Sequence, residues 1–212
     1  MRHRITVAGM AVVLAAGVLA ACGGVDEPEA APPRTVLVPG RPGEANRTEV
    51  AGPREAAQPT ADEVEFVQMM IPHHAQALEM SRLAPDRAFD ERVRSLASRI
   101  DVSQKAEIAM MKSWLDENPK AVLEAHGENH GGRHADMPGM ATPEQMERLE
   151  EARGAAFDEL YLTLMITHHQ GALTMVDDVL DKGTDVPIQQ LARDVQSGQA
   201  AEIGRMRELL AE

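Results

Sequence analysis

From Thr60 onward, apolar residues recur every three or four positions, the spacing of one face of an α-helix. Phe66, Met70, His73, Ala77 and Met80 fall within about 80° of one another when each residue turns the helix by about 100°. A second stripe follows in Leu96, Ile100, Gln104, Glu107, Met111 and Trp114. The pattern then returns as Tyr161, Met165, His168, Ala172 and Met175, and again as Leu191, Val195, Gln199, Glu202, Met206 and Leu209. Sliding the chain by 95 residues lays 62–115 on 157–210 without a gap, with 17 of those 54 positions identical. Two copies of one helical hairpin predict an all-α four-helix bundle.

Punctuation along the chain sets the boundaries. Thr60-x-x-Glu63 has the form of a capping box and opens the first hairpin, 60–116. Thr142-Pro143 restarts a helix and opens the second, 142–212, with Thr as N-cap and Pro in the first turn. Between them, 117–141 is rich in Gly, His and Asn and reads as a linker. Residues 22–59, heavy in Pro, Gly, Ala and Glu, read as a disordered tether. The first 21 residues have a short basic start and an uncharged apolar run, Ile5 to Leu19, the make-up of a signal peptide. That run ends in Leu19-Ala20-Ala21-Cys22, which resembles the lipobox of bacterial lipoproteins. Cys22, the one cysteine in the chain, is then the expected lipidation site. The mature protein is expected on the outer face of the cytoplasmic membrane or in the periplasm, held by its lipid.

Composition narrows the chemistry. After removal of 1–21, 19 basic residues face 34 acidic ones, a net charge of -15, so nucleic acid is a poor partner. With Cys22 acylated no thiol remains, and a soft metal would have to be held by His and Met. Five aromatics leave a core of Ala, Leu, Ile, Val and Met.

His73, Glu107, His168 and Glu202 occupy stripe positions that the pattern reserves for apolar residues. Unpaired charge there is costly, so these groups must neutralise, pair with each other or bind something. One reading is a His–Glu–Gln hydrogen-bond network that fixes hairpin register. The other is a metal site with Met70, Met80, Met111 and their repeats nearby. His74 and His169, turned 100° from their neighbours, are expected to line a partly exposed groove or to cap the network. Pro72 predicts a kink just before His73. Met69, Met110 and Met146 read as core filler.

The linker carries His126, His130, His134, Met137 and Met140 at regular short spacing among glycines, a second and more labile candidate site. Imidazole with thioether suits copper, and thioether favours Cu(I). Catalysis is not called for. A di-iron bundle wants Glu-x-x-His, which Glu107 and Glu202 lack, and no Gly-x-Ser-x-Gly elbow is present.

Phe-x3-Met-Ile-Pro-His-His-x2-Ala-Leu-x-Met (66–80), Tyr-x3-Met-Ile-x-His-His-Gln-Gly-Ala-Leu-x-Met (161–175) and the paired Gln-x2-Glu-Ile-x2-Met (104–111 and 199–206) resemble the ferritin-like family catalogued as domain of unknown function 305. The resemblance covers about 60–212. It implies a ferritin-like four-helix bundle, export, and an association with copper binding and tolerance in some relatives. On the family pattern His73, His74, Met80, His168, His169 and Met175 are candidate ligands, with copper-handling proteins as partners. Ala75-Gln76 stands where the second copy has Gln170-Gly171, so the halves are chemically unequal. The expectation is an extracytoplasmic copper binder, with a scaffold module or a metal-dependent oxidoreductase as rivals.

Overall fold

The computed structural model describes residues 34–38, 41, 44–51, 58–127 and 137–212, divided between two compact units, Met1–Glu55 and Ala56–Glu212. The first contains a correction to the expected tether. Strands β1 (Arg34–Val38) and β2 (Arg47–Ala51) pair antiparallel, with Arg34 opposite Ala51 and Val38 opposite Arg47. Both pentapeptides carry Thr and Val, whose branched side chains favour extended backbone. Averaging over a Pro- and Gly-rich stretch hides them.

The second unit is built on four long helices. These are α1 (Ala61–Ser81), α3 (Glu91–Glu117), α6 (Ala155–Lys182) and α7 (Val186–Leu210). Short helices α2 (Ala84–Arg87), α4 (Pro119–Gly127) and α5 (Pro143–Glu151) lie in the connections. Helix α1 packs on α3 and α6 on α7, and the two hairpins meet mainly along α1 and α6. The expected capping box forms at Thr60, and the expected N-cap Thr142 proves to be a second one: Glu63 N–H donates to the Thr60 hydroxyl and Gln145 N–H to that of Thr142, while each side chain returns to the cap backbone. Helix α1 stays helical through Pro72. The linker is less irregular than its composition predicts, since α4 buries Ala121 and Ala125 in the core that holds Trp114. Among the described residues no helix is long and apolar enough to cross a membrane. Of the three methionines expected as filler, Met69 and Met146 are half-buried, but Met110 is 53% exposed. Its neighbour Met111 takes the inward position, and one residue further round the helix is about 100° away.

The hairpins also hold one another by a pair of reciprocal clasps. Fully buried Glu63 on α1 accepts from Thr184 N–H (2.5 Å) and Asp185 N–H (2.6 Å), at the start of α7. Its repeat, Asp158 on α6, accepts from Phe89 N–H (3.1 Å) and Asp90 N–H (2.8 Å), at the start of α3. Each carboxylate satisfies backbone donors at the mouth of a helix of the other hairpin, where the helix dipole also favours negative charge.

Candidate metal centre

In a four-helix bundle each helix has two neighbours roughly a quarter-turn apart, and consecutive helical residues differ by about 100°. A His-His pair therefore serves both interfaces. The first imidazole of each motif faces the other hairpin: the rings of His73 and His168 lie 3.7 Å apart between centroids, tilted by 36°. The second faces its own hairpin partner. His74 Nε2 lies 2.6 Å from Glu107 Oε2, and His169 Nε2 lies 2.8 Å from Glu202 Oε2. His73, His74, His168 and His169 are all 0% exposed.

This arrangement corrects two expectations. His74 and His169 do not line a partly exposed groove, because that side of the stripe is covered by α3 and α7; each instead joins a glutamate at the edge of the network. Glu107 pairs with His74 rather than His73, and Glu202 with His169 rather than His168. Both carboxylates sit at the rim, about one-fifth exposed, and are engaged by imidazole. Among the described residues no group of three His, Cys, Asp or Glu is placed to hold one ion. Glu107 and Glu202 are each committed to an imidazole.

A carbonyl or carboxylate oxygen can only accept, so these contacts, together with that of His73 Nε2 to Pro138 O, put a proton on Nε2 of His73, His74 and His169. In each of them Nδ1 is buried with no hydrogen-bond partner among the described residues, and in His168 neither ring nitrogen has there a partner of acceptable geometry. Burial pushes the His73 imidazole down to about 3, against a hydrogen bond to Pro138 O that works the other way. Burial, then the neighbouring imidazoles, holds His168 well below the ordinary histidine range. The facing pair is therefore neutral at physiological pH and presents lone pairs. Gln104 and Gln199, one turn before the glutamates, are likewise buried with both amide ends unpartnered. They lie on the predicted stripes, yet only burial distinguishes them from ordinary core-edge glutamines.

The methionines divide into two layers. Met80, Met165 and Met206 belong to one buried apolar cluster, and Met70, Met111 and Met175 to the other, so each layer draws on both hairpins. Of the linker ligands, Met137 and Met140 are described and half-buried; His130, His134, the side chain of His126 and Cys22 lie outside the described residues. Met137–Ala141 runs as a strap across α1 and α6. Pro138 O accepts from His73 Nε2–H at 3.0 Å, and the Gln76 amide brackets Ala141, donating to its carbonyl and accepting from its N–H at 2.8 Å each. Gly139 adopts φ +80°, and a Cβ there would stand 2.4 Å from Thr167 O. A Cβ on Gly171 would stand 1.9 Å from Pro138 O. So the unequal repeat positions Gln76 and Gly171 are the two halves of one seat: the first grips the strap and the second makes room for it. Beside the strap a groove of about 200 Å³ is lined by Asp62, Met69, Pro138, Met175 and Asp178, among others.

Tandem helical hairpins joined through buried imidazoles define an all-α, ferritin-like bundle. The chain belongs to the family described as Domain of unknown function (DUF305), which matches residues 63–210. A DUF305 fragment from Deinococcus radiodurans is 34% identical, with TM-score 0.63 and coverage of 73% of this chain and 98% of that one. A candidate secreted DUF305 protein from Streptomyces coelicolor is 36% identical, with TM-score 0.61 and coverage of 72% and 91%. CopM in its Cu(I)-bound form is 27% identical, with TM-score 0.56 and coverage of 69% and 94%; it is also known in Cu(II)-bound, silver-bound and apo forms. An uncharacterized protein of Acanthamoeba polyphaga mimivirus is 43% identical over 56 residues, a match spanning 37% of that protein.

Proposed function

We propose that this protein binds copper as cargo outside the cytoplasm, from a lipid anchor on Cys22, and buffers it or passes it on. The observation that carries the reading is the set of four fully buried imidazoles whose Nδ1 atoms have no partner. A buried network kept for structure alone would be expected to satisfy its polar atoms. In this one the carboxylates and Pro138 O engage only the Nε2 side. Histidine that ligates through one nitrogen while a carboxylate or carbonyl holds the other is the usual architecture around bound metal. Imidazole and thioether are the donors that suit copper, and CopM, similar in fold, has been seen with both copper states and with silver. The acidic groove beside the strap favours approach of a cation. The scaffold reading draws support from the two His–Glu contacts alone.

The test is metal analysis and thermal denaturation of protein purified without a His tag, with Cu(I) and Cu(II) supplied under competition. Copper specific to the folded bundle raises the melting temperature, by the equivalent of about 2.7 kcal/mol at a hundredfold excess over Kd. The joint change His73→Ala with His168→Ala removes that shift. A wild-type protein that binds neither state and shows no shift returns the cluster to a structural role.

A further inference from the structure

The tandem repeat supplies the same imidazole twice, but the strap reaches only one of them. His73 gives its Nε2 proton to Pro138 O, while His168, its partner across the pseudo-symmetric interface, has among the described residues no hydrogen-bond partner of acceptable geometry at either nitrogen, only a backbone contact with His73. The strap is well seated for this purpose. Gln76 holds Ala141 by two hydrogen bonds, and Gly139 and Gly171 allow backbone to pass where any Cβ would collide. Loop backbone packed this tightly against a helix, at the one point where it touches a buried imidazole, fixes the ring as well as the loop.

We propose that Met137–Ala141 is a positioning element of the metal centre: Pro138 O locks His73 as the Nε2–H tautomer and so leaves Nδ1 as the nitrogen that would ligate, with His168 as the more adaptable ligand. The strap does for His73 what Glu107 does for His74 and Glu202 for His169. Gln76 and Gly171 are positioning residues that act through Pro138. The inference rests on the metal reading above, but its first readout does not need metal. It also gives the Gln76/Gly171 departure from repeat symmetry a purpose, because a fully symmetric bundle would have no seat for one strap.

The experiment uses the full chain and two single variants, Gln76→Ala and Gly171→Ala, which loosen the strap from opposite sides. Nitrogen-15 spectra of the metal-free protein report the tautomer of each histidine, and hydrogen exchange at the Ala141 amide reports strap release. Competition titrations with Ag(I) and Cu(I) report affinity. In wild type His73 is a single Nε2–H tautomer and His168 a mixture. In both variants the Ala141 amide exchanges faster, His73 becomes a mixture, and affinity falls by about tenfold, the lower end for loss of an orienting partner. A mixed tautomer at His73 in wild type overturns the inference. So does unchanged affinity in variants whose His73 has lost its single tautomer, and in that case the metal reading stands. Wild-type protein that shows the single tautomer but binds neither ion sinks the metal reading and this role with it.

Discussion

The buried imidazole pair makes the bundle acid-sensitive in a way that can be worked out from two groups. His73 titrates at about 3 in the folded protein, and His168 well below its ordinary value. In the unfolded chain both return to about 6.5. Their folded pKa values are depressed, so as pH falls the unfolded chain takes up protons first and stability declines. The decline starts near 6.5 and for His73 flattens near 3, and stability from this source is fully present above that window. For His73 the loss between pH 8 and pH 5 comes to about 2 kcal/mol, with a limiting slope of about 1.4 kcal/mol per pH unit, and His168 adds to it in the same direction. Urea unfolding of metal-free protein at pH 5, 6, 7 and 8 measures it, beside a His73→Leu, His168→Leu variant. The double variant is expected to have the flatter profile whatever its absolute stability. Parallel profiles would show that the pair is hydrated or protonated in the folded state, and the burial argument would fail.

The clasps carry stability. Glu63→Ala leaves two backbone donors of the other hairpin and its own cap without an acceptor, and costs about 2–4 kcal/mol in urea; a loss under 0.5 kcal/mol would mean water replaces it freely. Glu107→Ala releases His74, and a tenfold to hundredfold loss of Cu(I) affinity is expected with the helix content kept, whereas unchanged affinity would remove the orienting role. Cys22→Ser is expected to move the protein out of the detergent phase, and a variant that partitions as wild type does would refute the lipid anchor.

The helical hairpins, their caps and the inward stripes were legible because period and repeat are local properties of the chain. Contacts between helices were less so. A helical wheel places His73 at the centre of one stripe and Glu107 in the middle of another, and invites their pairing. It does not show that two neighbouring helices flank α1, so that His73 turns to α6 and His74 to α3. The Glu63 and Asp158 clasps escaped a search for identical residues because Glu and Asp differ, although they stand 95 apart and perform one task. The strap escaped for another reason: Met137-Pro138-Gly139-Met140 looked like one end of a separate labile site. Its glycine instead permits a close backbone crossing, which lets Pro138 O reach His73 while Gln76 holds Ala141 by two hydrogen bonds.

The central claim is that copper is held inside the bundle by imidazole and thioether, with the carboxylates holding the rings. X-ray absorption at the copper edge of protein loaded with one equivalent of Cu(I) tests it most directly. The account predicts imidazole nitrogen scattering with a sulfur contribution, the nitrogen component lost in the His73→Ala, His168→Ala variant and retained in Glu107→Ala at saturating copper. A spectrum of oxygen ligands alone, or one unchanged by the double histidine variant, would contradict it.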